Sequence, residues 1–175
     1  MNPSKLGDSY DIVKRFFCDV LRAQGYDVFI DPMFTGTWNQ HNKCLFYQFL
    51  GAKNVSDHRP GRRSNAILVD PDTGVWERNT DRQGTHISFN KIAELCQCYR
   101  VVFVFDQSFA RNRLRSDQIR DKLHALRNQH CSALYYDSHA CFLLASCSLK
   151  SIRQLRGRLV RLGLPENRLV MLSHA

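Results

Sequence analysis

Residues 100–106 read RVVFVFD, five consecutive β-branched or aromatic residues between an arginine and an aspartate. A strand with one wet face alternates apolar and polar residues, whereas a strand buried on both faces has no position to give to a polar side chain. The run therefore predicts a central strand of a largely parallel sheet, covered by helices on both sides.

The segments around it alternate in period, as a layered α/β fold requires. Upstream, ISFNKIAELCQ (87–97) reads as a helix and AILV (66–69) as a strand. Further back, KNVSDHRPGRRSN (53–65) is a loop, because Pro60, Gly61 and three arginines break any periodicity. CLFYQFLG (44–51) reads as a short helix closed by Gly51, and YDVFID (26–31) as the first strand. From Asp8 to Gln24, Ile12, Val13, Phe16, Phe17, Val20 and Leu21 recur at helical spacing, with Asp8 or Ser9 as cap and Gly25 as stop.

Downstream, RSDQIRDKLHALRN (115–128) predicts a helix capped by Ser116, with Ile119, Leu123 and Leu126 on its inner stripe. CSALYYD (131–137) and ACFLLAS (140–146) stand a few residues apart and predict an antiparallel pair. LKSIRQLRGRLVRLG (149–163) places Ile152, Leu155, Leu159 and Leu162 on one helical stripe, and RLVML (168–172) follows as a last strand. The expected architecture is a single α/β domain over residues 1–175. It is Rossmann-like, a mostly parallel mixed sheet of about six strands flanked by helices, with an antiparallel pair near the C-terminus. A chain of 175 residues buries about two-thirds of its unfolded surface, enough for one such core.

Three predicted strands end in aspartate: Asp31, Asp70 and Asp106, with Asp137 closing a fourth. Ligands of open α/β sheets gather at those carboxyl ends. If the first three strands are neighbours, Asp31, Asp70 and Asp106 form a hard-oxygen donor set for magnesium or manganese, suited to phosphodiester hydrolysis. Asp72 has a simpler explanation, since Pro71-Asp72-x-Gly74 is a favoured turn sequence. Asp70 and Asp106 are the better candidates for catalysis.

The order of YDVFIDPMFTG (26–36), AILVDPDTG (66–74), VVFVFD (101–106) and ALYYDSHACFLLAS (133–146) resembles a shortened Rossmann-type methyltransferase. The opening helix with FIDPMFTG (29–36) is similar to the three-Cys-motif partner proteins of bacteria. In that comparison DPDT (70–73) occupies the place of the Asp-Pro-Pro-aromatic motif of amino-methyltransferases. The sequence departs from the pattern after the first strand, where Thr35-Gly36-Thr37 stands in place of a G-x-G loop, and few strands precede Asp70. Those departures argue against S-adenosylmethionine as a cofactor.

His139, beside Asp137 and Ser138 in the predicted hairpin turn, is the candidate acid or base. His41 and His86 are weaker, and Cys141 reads as core in the run ACFLLAS. Seven cysteines, several inside apolar runs, argue against a disulfide framework. Cys96 and Cys98 form C-x-C with no matching pair at zinc-finger distance, so neither zinc nor haem is expected.

Twenty-five Lys and Arg against sixteen Asp and Glu give a formal charge of +9, which favours polyanionic partners. Arg111, Arg113 and Arg115 crowd the segment after Asp106, and Arg153, Arg156 and Arg161, with Lys150 and Arg158, surround the last helix. These are the candidate nucleic-acid contacts. The start MNPSKLGDSYD lacks an apolar leader and no stretch is long enough for a membrane span, so a cytoplasmic protein without a membrane partner is expected. The leading function is a nucleic-acid-directed protein performing metal-dependent phosphodiester hydrolysis. The alternative is a non-catalytic nucleic-acid- or protein-binding module on a degenerate methyltransferase-like frame.

Overall fold

A computed structural model of the chain describes residues 3–57, 65–76 and 85–172. The central strand is where its sequence predicts. β6 (Val101–Phe105) is fourth of seven in a sheet that also holds β1 (Asp27–Asp31), β2 (Lys53–Asn54), β3 (Asn65–Val69), β7 (Ser132–Tyr136), β8 (Phe142–Ser146) and β9 (Leu169–Val170), in the order β2-β1-β3-β6-β8-β7-β9. β2, β1, β3 and β6 run parallel, while β8 lies antiparallel to β6 and to β7, forming the expected pair near the C-terminus.

Helices cover both faces. On one side α1 (Ser9–Arg22), α2 (Gln40–Leu50) and α5 (Leu149–Arg161) pack Phe17, Leu21, Phe46, Leu50, Ile152 and Leu155 against Ile30, Leu68, Phe103 and Phe142. On the other, α3 (Phe89–Cys98) and α4 (Arg115–Asn128) pack Ile92, Ile119, Leu123 and Leu126 against Ile67, Val69, Val102 and Val104. Each fully buried Leu, Ile or Phe of these layers contributes about 1.5–3 kcal/mol of transfer free energy. Odd-numbered β6 residues enter the first layer and even-numbered ones the second, as the two-residue strand period requires.

Several boundaries depart from expectation. α2 begins a turn earlier, where the Asn39 side chain accepts from the Asn42 N–H, and it ends at Gly51 with φ +60°. Ser116 does not cap α4; it lies inside the first turn, and Leu114 is the N-cap residue without a side-chain bond. Two short strands outside the main sheet, β4 (Gly74–Trp76) and β5 (His86–Ser88), form a parallel pair, so the first two residues of the expected 87–97 helix are strand and cap. β2 is two residues long, too short to carry a period. The loop expected at 53–65 lies mainly outside the described residues. Among those described, no helix is long and apolar enough to cross a membrane.

Candidate functional site

α1 buries an unexpected face. Ile12, on the expected apolar stripe, is 58% exposed, while Asp11 and Lys14 are 1% and 3% exposed. Lys14 is spaced i, i+3, i+4, i+7 with Phe17, Cys18 and Leu21, so its ammonium is carried inward with the core side chains. There Nζ donates to Asp11 Oδ1 at 2.9 Å and to Asp70 Oδ2 at 2.8 Å, and lies 4.8 Å from the Phe105 ring centroid. Burial alone lowers the pKa of such an ammonium, but the adjoining carboxylates of Asp70 and Asp11 outweigh it, and Lys14 is held above the usual lysine range. Burial raises the Asp70 carboxyl against the pull of Lys14.

Asp106 faces the other layer. Its Oδ2 accepts from Lys122 Nζ at 2.5 Å and from the Tyr135 hydroxyl at 2.8 Å. Its Oδ1 accepts from the N–H of Val75 at 3.0 Å, the N–H of Ser108 at 3.1 Å and the Ser108 hydroxyl at 2.5 Å. Lys122 completes the stripe of Ile119, Leu123 and Leu126 at the same helical spacing as Lys14 and is 4% exposed. Gly74 lets β4 pass over this carboxylate. Its φ is +126°, and a Cβ there would stand 2.9 Å from Asp106 Cα and from the Gln107 nitrogen, and closer still to Oδ1.

The three strand-end aspartates share a rim, with Asp70 and Asp106 turned to opposite faces of the sheet. Asp70 follows Val69, which packs on the α3/α4 side, so the strand period turns Asp70 toward α1. Asp106 follows Phe105, which packs on the α1 side, and is turned toward α4. Asp31 lies opposite Val69, accepts the Met33 N–H at 3.3 Å and lines a separate cleft with Lys43, Tyr47 and Asn54. Asp70 and Asp106 each hold a lysine in place of a cation. Among the described residues, no group of three or more His, Cys, Asp or Glu side chains is arranged to hold a metal ion.

Besides the Asp31 cleft, the described residues form a cleft at the rim on each face, beside Asp70 and beside Lys122. The first, about 360 Å³, is lined by Asp8, Tyr10, Lys14, Asp70, Asp72 and Gln107. The second, about 630 Å³, is lined by Val75, Trp76, His86, Phe109, Gln118 and Lys122. His139 borders the first. Its exposed ring stacks on Tyr10 at 4.9 Å between centroids, and its carbonyl accepts from Gln107 Nε2 at 2.7 Å. That sets it against α1, whereas Asp106 is turned toward α4. Asp72 is exposed in the turn leading to Gly74, where the Thr73 carbonyl accepts from the Gln107 N–H at 3.0 Å. Cys141 is buried, its thiol donating to the Ser138 carbonyl at 2.8 Å, and burial raises its pKa.

The candidate arginines divide into two groups. Arg113 pairs with Asp121 at 2.5 Å, and Arg156 with Glu166 at 3.0 Å. Arg115 braces the β7–β8 turn: Nε meets Asp137 Oδ1 at 2.7 Å, a terminal nitrogen donates to the Ser138 carbonyl and the Cys141 sulfur, and the guanidinium covers the Phe109 ring at 4.2 Å. Arg111, Arg153 and Arg161 are exposed, with no ion-pair partner among the described residues. Lys14, Lys122, Tyr135 and Ser108 escaped the sequence reading, although the two lysines carried a signal, a charge at a stripe position between core residues.

No family model matches the chain, and no curated protein sequence matches it.

Proposed function

We propose that the chain binds nucleic acid or a comparable polyanion as a non-catalytic module, through the solvent face of α5. The observation that carries this reading is the division of that helix: Ile152, Leu155 and Leu159 are buried against the sheet, while Arg153 and Arg161 project outward without an ion-pair partner among the described residues. Arg153 and Arg156 also line a shallow cleft of about 470 Å³ with Asn167 and Glu166; Glu166 already pairs with Arg156, so Arg153 is the guanidinium a phosphate would meet there. A net charge of +9 adds long-range attraction. The carboxylates most suited to chemistry each face their own lysine, which supports binding over cleavage.

The test is fluorescence anisotropy of labelled duplex and single-stranded oligonucleotides across a salt series. Arg153→Gln with Arg161→Gln should weaken binding and flatten the slope of log affinity against log salt by roughly 0.9 per lost phosphate contact on duplex DNA, or about 0.7 on single strands. An unchanged slope refutes the reading.

Metal-dependent hydrolysis is the second reading, favoured by the position of Asp31, Asp70 and Asp106 on adjoining parallel strands at one rim. It requires Mg²⁺- or Mn²⁺-dependent cleavage that Asp70→Asn abolishes. An active methyltransferase would instead bind S-adenosylmethionine in a calorimetric titration.

A further inference from the structure

At the end of the sheet away from the two clefts, three cysteines from three elements meet. The β7–β8 register pairs Ser132 with Ser146, and one step further brings Cys131 opposite Cys147. Directly opposed residues of an antiparallel pair have Cα atoms about 4.5–5.5 Å apart, inside the 4.4–6.8 Å range that a disulfide spans. The Cys131 thiol donates to the Gln129 carbonyl at 3.6 Å and has the thiols of Cys96 and Cys147 as neighbours. Cys96, at the end of α3, has its carbonyl bonded by the Cys147 S–H at 3.4 Å, and Gln97 Nε2 donates to the Cys147 sulfur at 3.4 Å. All three cysteines are free thiols, with Cys96 and Cys131 buried and Cys147 exposed.

We propose that Cys131 and Cys147 form a reversible dithiol–disulfide site, oxidised by hydroperoxides and reduced by small thiols. The exposed Cys147 meets the oxidant. Its sulfur, as the thiolate, attacks one peroxide oxygen as the O–O bond breaks, giving a sulfenic acid, and the other oxygen leaves as water, or as an alcohol from an organic peroxide, with the proton that Cys147 gave up. The Cys131 thiolate then attacks that sulfur, the S–S bond forms, and the displaced hydroxide leaves as water with the proton Cys131 gave up. Two thiols lose two electrons and the peroxide gains them. Two equivalents of a small thiol reverse the oxidation and leave as their own disulfide.

The surroundings suit this division of labour. The neighbouring Cys96 thiol lowers the Cys131 thiol to about 7 despite burial, with Cys147 adding to the effect, whereas partial desolvation and the adjoining Cys131 raise Cys147. Cys131 is thus the more acidic of the two thiols and is shielded by burial. Cys96 is buried in α3 and its thiol is pushed up by Cys131 and by burial, which leaves the exposed Cys147 as the point of entry for the oxidant.

The experiment treats the intact protein with hydrogen peroxide at neutral pH, blocks the remaining thiols and measures the mass. Trypsin leaves Cys131, Cys141 and Cys147 in one peptide between Arg127 and Lys150, so cleavage before aspartates is used, which separates residues 121–136 from 137–175. The expected result is loss of two hydrogen atoms, a link between those two peptides assigned by fragmentation to Cys131 and Cys147, and full recovery with a small thiol. Cys147→Ser should abolish the link and Cys96→Ser should leave it between the same residues. A link from Cys131 to Cys96 or Cys141, or oxidation of Cys147 that stops at sulfinic acid without a link, overturns the proposal. The wild-type map decides the matter even if a serine variant fails to fold.

Discussion

Replacing Lys122 by Met keeps the aliphatic stem in the α4 stripe and deletes the ammonium. Asp106, fully buried, then retains its bonds from Tyr135, Val75 and Ser108 but has no cation. Dipoles alone offset only part of the cost of a carboxylate held out of water, and breaking one side of a buried pair typically costs about 3–5 kcal/mol. At roughly 2–4 °C per kcal/mol for a domain of this size, the melting temperature should fall by about 6–20 °C. Urea unfolding followed by circular dichroism measures the loss, and the total stability of about 5–15 kcal/mol leaves a folded population to measure. Asp106→Asn should cost a similar amount, because it strands the Lys122 ammonium, whose remaining acceptors are the Ser108 carbonyl at 2.8 Å and hydroxyl at 3.0 Å. The double variant should lose less than the sum, by about 0.5–3 kcal/mol of coupling. A Lys122→Met loss under about 1 kcal/mol, or strict additivity of the two, would show that the pair does not hold β6 to α4 and refute the reasoning.

Gly74→Ala should destabilise by about 2–5 kcal/mol, the sum of a disfavoured positive φ and overpacking against Asp106, and thermal melts of the two proteins measure it. Burial raises the Asp70 pKa in the folded state, so its contribution to stability is full below the unfolded carboxylate range and is lost as pH rises through the folded value. The stability of wild type relative to Asp70→Asn should therefore decline between acid and neutral pH in urea titrations, and a relative stability that grows over that interval contradicts the assignment. Asp8→Ala removes the side chain that accepts from the N–H groups of Tyr10 and Asp11 and should cost about 1 kcal/mol, read as a shift in the urea midpoint.

What the sequence determined by itself was local. RVVFVFD has no polar position and could only be an interior strand; the stripe of Ile152, Leu155 and Leu159 could only seat α5 on the sheet; Gly51 and Asp8 mark helix ends through φ and capping. Face and partner were decided in three dimensions. A strand period of two says that neighbours alternate, but which way Asp70 turns relative to Asp106 depends on the register of β3 against β6, and a shift of one residue would put both on one face. The same holds for Cys131 and Cys147, sixteen positions apart in the chain and set opposite each other only by the pairing of β7 with β8. In α1, Ile12 and Lys14 compete for the same surface, and the buried carboxylates of Asp11 and Asp70 decide it for the lysine. A residue's hydrophobicity is written in its side chain, but the cost of burying its charge is set by the counter-charge it meets, and that exists only once distant segments have been folded together.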